Sequence, residues 1–237
     1  MLILPAIDLY EGKAVRLLRG NYARMTVYSD DPVEVARGFQ EAGAQWVHMV
    51  DLEGARDGDN PNLEVVRAVA RETALNVEIG GGIRDMRTVA RYLDAGVSRV
   101  ILGTAAVTDP GFAAEAVATY GDNIAVGVDI QDGQVAIRGW TERSDREVFE
   151  FCATLEGLGV KTLICTDISK DGAMGGTNHA LYRSLAERLH VRIIASGGIS
   201  TIEDIKKLRS LDIYGAIIGK AYYTGAIQLA EAIEAAQ

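Results

Sequence analysis

Eight short apolar runs recur along this chain, each followed by a stretch whose apolar residues return every three or four positions. The runs cover residues 2–8, 46–51, 75–79, 98–102, 124–130, 161–166, 191–195 and 214–218. Near-continuous apolar runs of this length read as strands buried on both faces, and their alternation with helices implies a mainly parallel sheet. The clearest helical stripe is Val148, Phe151, Cys152, Leu155 and Leu158; Leu181, Leu185 and Leu189 form a second. Eight such units in 237 residues match the count and size of a (β/α)8 barrel, with a doubly wound open sheet as the structural competitor.

The chain also repeats itself. "GGI" at 81–83 and "LGT" at 102–104 return as "GGI" at 197–199 and "IGK" at 218–220, each 116 positions later, and the same shift carries Asp51 onto Asp167. Asp8 and Asp129 stand 121 positions apart, which places a loop longer by five residues after the first strand. The expected architecture is an α/β TIM barrel with a two-fold half-barrel repeat, the halves covering approximately residues 1–120 and 121–237. Only four prolines and no extended Ser- or Gly-rich tract leave no candidate linker, so one domain is expected.

Each repeated motif puts glycine between a strand end and a helix start. Backbone N–H groups converge there, the helix dipole favours an anion, and glycine allows close approach. Gly197, Gly198, Gly219 and Lys220 form one candidate phosphate cradle, in the loops that frequently hold phosphate in barrels. Gly81, Gly82, Gly103 and Thr104 duplicate it on the opposite side. The occupant expected from two facing cradles is an elongated molecule with a phosphate at each end. For any single glycine pair, a tight turn is an equal explanation. Ser200 with Glu203 also fits a helix-capping box.

Strand alternation places Asp8 on the face of Leu4 and Ala6, and Asp129 on the face of Ala125 and Gly127. The first and fifth strands of such a barrel are opposite each other, so two carboxylates would flank the substrate as proton donor and acceptor. Thr166 shares a face with Thr162 and Ile164 and is placed to hydrogen-bond a substrate hydroxyl, or to be satisfied within its strand. Asp51 and Asp167 read as structural. His48 reads as a packed strand residue, and His179 and His190 belong to the region of the sixth helix; no two histidines have metal-ligand spacing. No metal and no cofactor is expected, since neither a nucleophile triad nor a G-x-G-x-x-G after the first strand occurs.

A formal charge of −9 argues against a nucleic-acid partner, and no segment reaches the length of a membrane span. Cys152 and Cys165 read as two buried thiols rather than a bridge. The N-terminus carries no secretory pattern, so the expected location is cytoplasmic and the expected state a monomer acting on a small molecule.

Several motifs in order, "LPAIDLYEGKAVRLLRG", "VHMVDLEGA", "EIGGGIR", "VILGTAAV", "GVDIQDGQVAIRGW", "TDISKDGAMGGTN", "IIASGGIS" and "GAIIGKAYY", resemble the phosphoribosylformimino-5-aminoimidazole carboxamide ribotide isomerases of histidine biosynthesis. The resemblance covers the whole chain. It implies a bisphosphate substrate and an Amadori rearrangement of an aminoaldose to an aminoketose. By motif it implies Asp8 as general base, Asp129 as general acid and Thr166 as orienting group. It further implies that Arg16, Trp140, Asp171 and Gly176 belong to the substrate-binding surface. For Arg16 and Trp140 the residues alone leave a solvated arginine and a packed tryptophan equally open.

Two related activities share this pattern. The sister cyclase of the pathway has the same half-barrels, but typically reads "PCLD" where this chain has Pro5, Ala6, Ile7 and Asp8. A dual-substrate isomerase that also accepts phosphoribosylanthranilate would use the same acid–base pair. A non-catalytic phosphosugar-binding module is the reading from a different class, and it leaves two opposed acids beside a bisphosphate without a purpose.

Overall fold

The computed structural model describes residues 1–18 and 20–237; Arg19, within the first motif quoted above, lies outside them. The eight barrel strands are Leu2–Tyr10, Trp46–Asp51, Asn76–Gly80, Arg99–Leu102, Ile124–Gln131, Thr162–Asp167, Arg192–Ser196 and Gly215–Ile218. Each pairs in parallel with its sequence neighbours, and the first pairs with the eighth, closing the cylinder. All eight coincide with the apolar runs. The open-sheet alternative is excluded by that closure.

Alternation along the strands divides the apolar residues into two cores. Leu4, Ala6, Ile101, Ala125, Ile164, Ile194 and Ile217 fill the barrel interior, whereas Ile7, Val47, Val77 and Leu163 point outward into the layer beneath the helices. The first and fifth strands extend beyond their apolar runs into hairpins. Glu11 and Gly12, and in the other half Asp132 and Gly133, take left-handed conformations that turn the chain back in two residues. The first hairpin adds Lys13–Leu18 and Asn21–Ser29, and the second adds Gln134–Ile137 and Glu142–Glu147. The outer strands Asn21–Ser29 and Glu142–Glu147 are largely exposed, and the inner strands Lys13–Leu18 and Gln134–Ile137 are short, so none of the four stood out as an apolar run.

The helix Val148–Gly157 buries Val148, Phe151, Cys152 and Leu155. Leu158 departs from the expected stripe: it is the C-cap, one position past the last helical turn, and is 37 % exposed. The capping box also differs from the expected one. Thr201, not Ser200, has the extended backbone that an N-cap requires; its hydroxyl accepts from the Asp204 N–H, and the Asp204 carboxylate accepts from the Thr201 N–H. Both cysteines are free and buried. Among the described residues no helix is long and apolar enough to cross a membrane.

Candidate active site

Asp8 stands on the inner face at the carboxyl end of the first strand. The hairpin that follows folds back antiparallel, Asp8 opposite Val15, and so delivers Arg16 to the mouth. Arg16 Nη1 donates to Asp8 Oδ1 at 3.0 Å, and both side chains are largely enclosed. Burial disfavours the guanidinium charge, but the carboxylates of Asp8 and Asp171 outweigh it and hold the group protonated. Of the two readings left open for Arg16, the solvated one is thereby overturned.

Asp129 occupies the matching position on the fifth strand, beside Thr166 in the parallel register. Burial drives its carboxyl up to about 6; the polar groups of Trp140 and Thr166 pull it down, and the nearby Asp171 pushes it up. Asp171 is itself raised, chiefly by burial and partly by Asp8, against the opposing charges of Arg16 and Lys220. The mouth therefore holds one carboxylate in an ion pair and another whose proton is retained well above the ordinary aspartate range.

The glycine motifs divide into two structural roles. A side chain at Gly81 would strike the Asp51 carbonyl, and one at Gly197 would approach the Asp167 carbonyl to 2.6 Å. Gly82 and Gly198 are pressed likewise against the carbonyls of Gly54 and Gly176, and all four take positive φ. Both glycine pairs are thus required for backbone packing. Gly103 and Gly219 differ: each begins a short helix with φ near −100°, and a side chain at Gly103 would meet nothing. These two positions open onto the mouth, beside Thr104 and Lys220.

Each hairpin reaches over one cradle. Arg16 lies against Gly219, where a Cβ would collide with its guanidinium, in a cavity also lined by Asp171, Ser196, Gly198 and Lys220. Lys220 Nζ donates to the Gly172 carbonyl at 3.0 Å. On the other side the Arg138 N–H donates to Thr104 Oγ1 at 2.8 Å. Arg138, Gly139 and Trp140 are consecutive residues with positive φ, strained for the two that carry side chains. Trp140 packs against Gly20, so the two hairpins touch across the opening.

Asp51 and Asp167 are structural, as read. Asp51 accepts from the Gly54 N–H and from Asn62; Asp167 accepts from Ser169 and from Asn178, 116 positions after Asn62. His48 is not simply packed: it lies inside the barrel in contact with Glu78. Ser196 and Met174, which also line the cradle, carried no sequence signal beyond their proximity to the glycines. Among the described residues no group of three His, Cys, Asp or Glu side chains is arranged to hold a metal ion.

Comparison with known proteins places this geometry in context. The family described as histidine biosynthesis protein matches residues 2–228. Three relatives are each named 1-(5-phosphoribosyl)-5-((5-phosphoribosylamino)methylideneamino)imidazole-4-carboxamide isomerase. The protein of Clostridium beijerinckii is 48 % identical over 99 % of this chain and 98 % of its own. That of Brachyspira hyodysenteriae is 47 % identical over the full length of both. That of Oceanobacillus iheyensis is 45 % identical over 99 % of this chain and 98 % of its own.

Proposed function

The chain belongs to the histidine biosynthesis protein family, and on that premise we propose that it is the aldose–ketose isomerase its relatives are named for, rearranging an aminoaldose bisphosphate to the aminoketose. The observation that carries this reading is the placement of Asp8 and Asp129 on opposite strands, each between two glycine-lined cradles. A phosphate at each end of the substrate suspends the reacting sugar over the two acids. The names of the relatives favour neither the sister cyclase nor a second, anthranilate-bearing substrate.

Asp129, with its proton retained to about pH 6, is the general acid. It protonates the furanose ring oxygen, the bond from that oxygen to C1 breaks, and the sugar opens to a C1 iminium. Asp8, paired with Arg16 as carboxylates are, removes the C2 proton to give the enaminol. The C2 hydroxyl then becomes the carbonyl while C1 gains a proton, so the rearrangement is redox-neutral and consumes no cofactor. Thr166 orients the sugar from beside Asp129. Arg16, Lys220 and the N–H groups at Gly219 hold one phosphate; Gly103 and Thr104 hold the other. Trp140 and Asp171 close the site from the two loops, and the tightly packed Gly81, Gly82, Gly176, Gly197 and Gly198 shape the cradles' backbone.

The proposal extends to a single domain of two half-barrels, residues 1–120 and 121–237, acting as a cytoplasmic monomer. The deciding experiment is conversion of the purified ribotide by the chelator-treated protein, followed by Asp8→Asn and Asp129→Asn. Turnover undiminished in both variants removes the mechanism.

A further inference from the structure

Inside the barrel, ionisable side chains from three successive strands form one chain of contacts. His48 on the second strand meets Glu78 on the third, Nδ1 to Oε1, at 2.6 Å. Arg99 on the fourth donates to the other Glu78 oxygen through Nε, at 2.9 Å, and through Nη2. Glu78 is fully enclosed, Arg99 nearly so, and the Arg99 guanidinium lies 4.3 Å over the Trp46 ring. Parallel register sets His48 beside Glu78 and Glu78 beside Arg99.

The half-barrel repeat supplies an internal control. A shift of 116 maps His48, Glu78 and Arg99 onto Ile164, Ile194 and Gly215. Ile164 and Ile194 pack in the apolar interior, so the same positions are built without charge in the other half. A buried ion pair is on average no better a stabiliser than well-packed aliphatic residues. Stability therefore gives no reason for the charged set, and its position does: His48 is level with Ala6, one inward step below Asp8.

The network fixes where the protons lie. Burial pushes the Glu78 carboxyl up, but the hydrogen bond from His48 and the charges of His48 and Arg99 outweigh it and hold it below the usual range. An ionised carboxylate only accepts, so His48 Nδ1 carries the hydrogen and Nε2 is left as the free end of the ring. Nε2 makes no hydrogen bond among the described residues, and it is not one of the sealed, unpartnered polar atoms of the interior.

We propose that His48 is a further substrate-touching residue, its Nε2 hydrogen-bonding to a hydroxyl of the sugar held between Asp8 and Asp129, with Glu78 and Arg99 as positioning residues that fix the orientation of its ring. This rests on the isomerase reading above. His48→Asn is the informative variant, because its amide reproduces the Nδ1 contact to Glu78 and removes Nε2. The expected result is a folded protein with kcat lowered about 10–100-fold. Glu78→Gln should lower kcat more than it raises KM. In wild type, histidine 15N NMR should show a proton on His48 Nδ1, with the Nε2 resonance moving when the bisphosphate product is titrated in. Folded His48→Asn with turnover within about twofold of wild type, or an Nε2 resonance unmoved by saturating product, overturns the proposal. If that variant misfolds, the wild-type titration decides alone. Failure of wild type to convert the ribotide would instead sink the isomerase reading.

Discussion

Arg16 and Asp8 stand eight positions apart and form a largely enclosed ion pair at 3.0 Å, with the guanidinium resting on Gly219. One side chain thus touches the proposed base and one proposed anion cradle together. Arg16→Ala should raise KM and lower kcat, together reducing kcat/KM on the order of 10²-fold or more, since it removes a charge-assisted phosphate contact and the partner of a buried carboxylate. Arg16→Lys keeps the charge but not the fork, so it should recover only part of the loss. Steady-state kinetics on the ribotide checks both.

Asp129 offers a test that separates catalysis from stability. Its carboxyl titrates near 6 in the folded protein, above the ordinary value, so the folded state holds the proton more tightly than the unfolded one. The neutral form is favoured, and the stability it contributes is present at low pH and lost as pH rises through about 6. Asp129→Asn keeps the group neutral at all pH. It should abolish turnover while stabilising the protein by about 1–3 kcal/mol near pH 7.5, with a smaller gain near pH 4.5. Denaturant melts at the two pH values decide this, and an equal gain at both rejects it.

Trp140 acts on Asp129 to hold its carboxyl lower than burial alone would. Trp140→Phe preserves the packing on Gly20 and removes the donor, so the Asp129 carboxyl should move up. The fall of kcat/KM with rising pH, if Asp129 is the acid, then shifts to higher pH. A pH profile of the variant measured beside wild type shows the direction.

The glycines predict opposite phenotypes within one cradle. Gly81 takes φ of 109° with no room for a Cβ beside the Asp51 carbonyl, so Gly81→Ala should cost about 2–4 kcal/mol of stability. A Cβ at Gly103 meets open space, so Gly103→Ala should cost clearly less stability than Gly81→Ala. Its methyl group would instead enter the anion position and raise KM. Thermal melts and kinetics on the pair test the division into packing and binding glycines.

The repeat explains how much of the site was legible. Asp8 and Asp129 end inward-facing apolar strands, and the glycine motifs follow their strands at a constant shift, so spacing alone located the two strand-end acids and the two sets of glycine loops. Arg16 and Trp140 were ambiguous because each belongs to a hairpin whose outer strand, Asn21–Ser29 or Glu142–Glu147, is largely exposed and shows no apolar run. The capping box slipped by one position because Ser200 and Thr201 are chemically equivalent as caps, and only backbone conformation distinguishes them. The partners of His48 were hidden for another reason. Its partners Glu78 and Arg99 lie 30 and 51 positions later, too far for any local pattern to join them.

Sequence by itself determined the barrel, its duplication and the strand ends that bear the acids, because hydrophobic alternation and turn chemistry are local properties that a chain carries in its order of residues. Tertiary structure decided which side chains meet: Arg16 with Asp8 and Gly219, Trp140 with Asp129, and His48 with Glu78 and Arg99. Those meetings depend on strand register and on closure of the sheet, and both are set by the packing of the whole cylinder rather than by any segment of it.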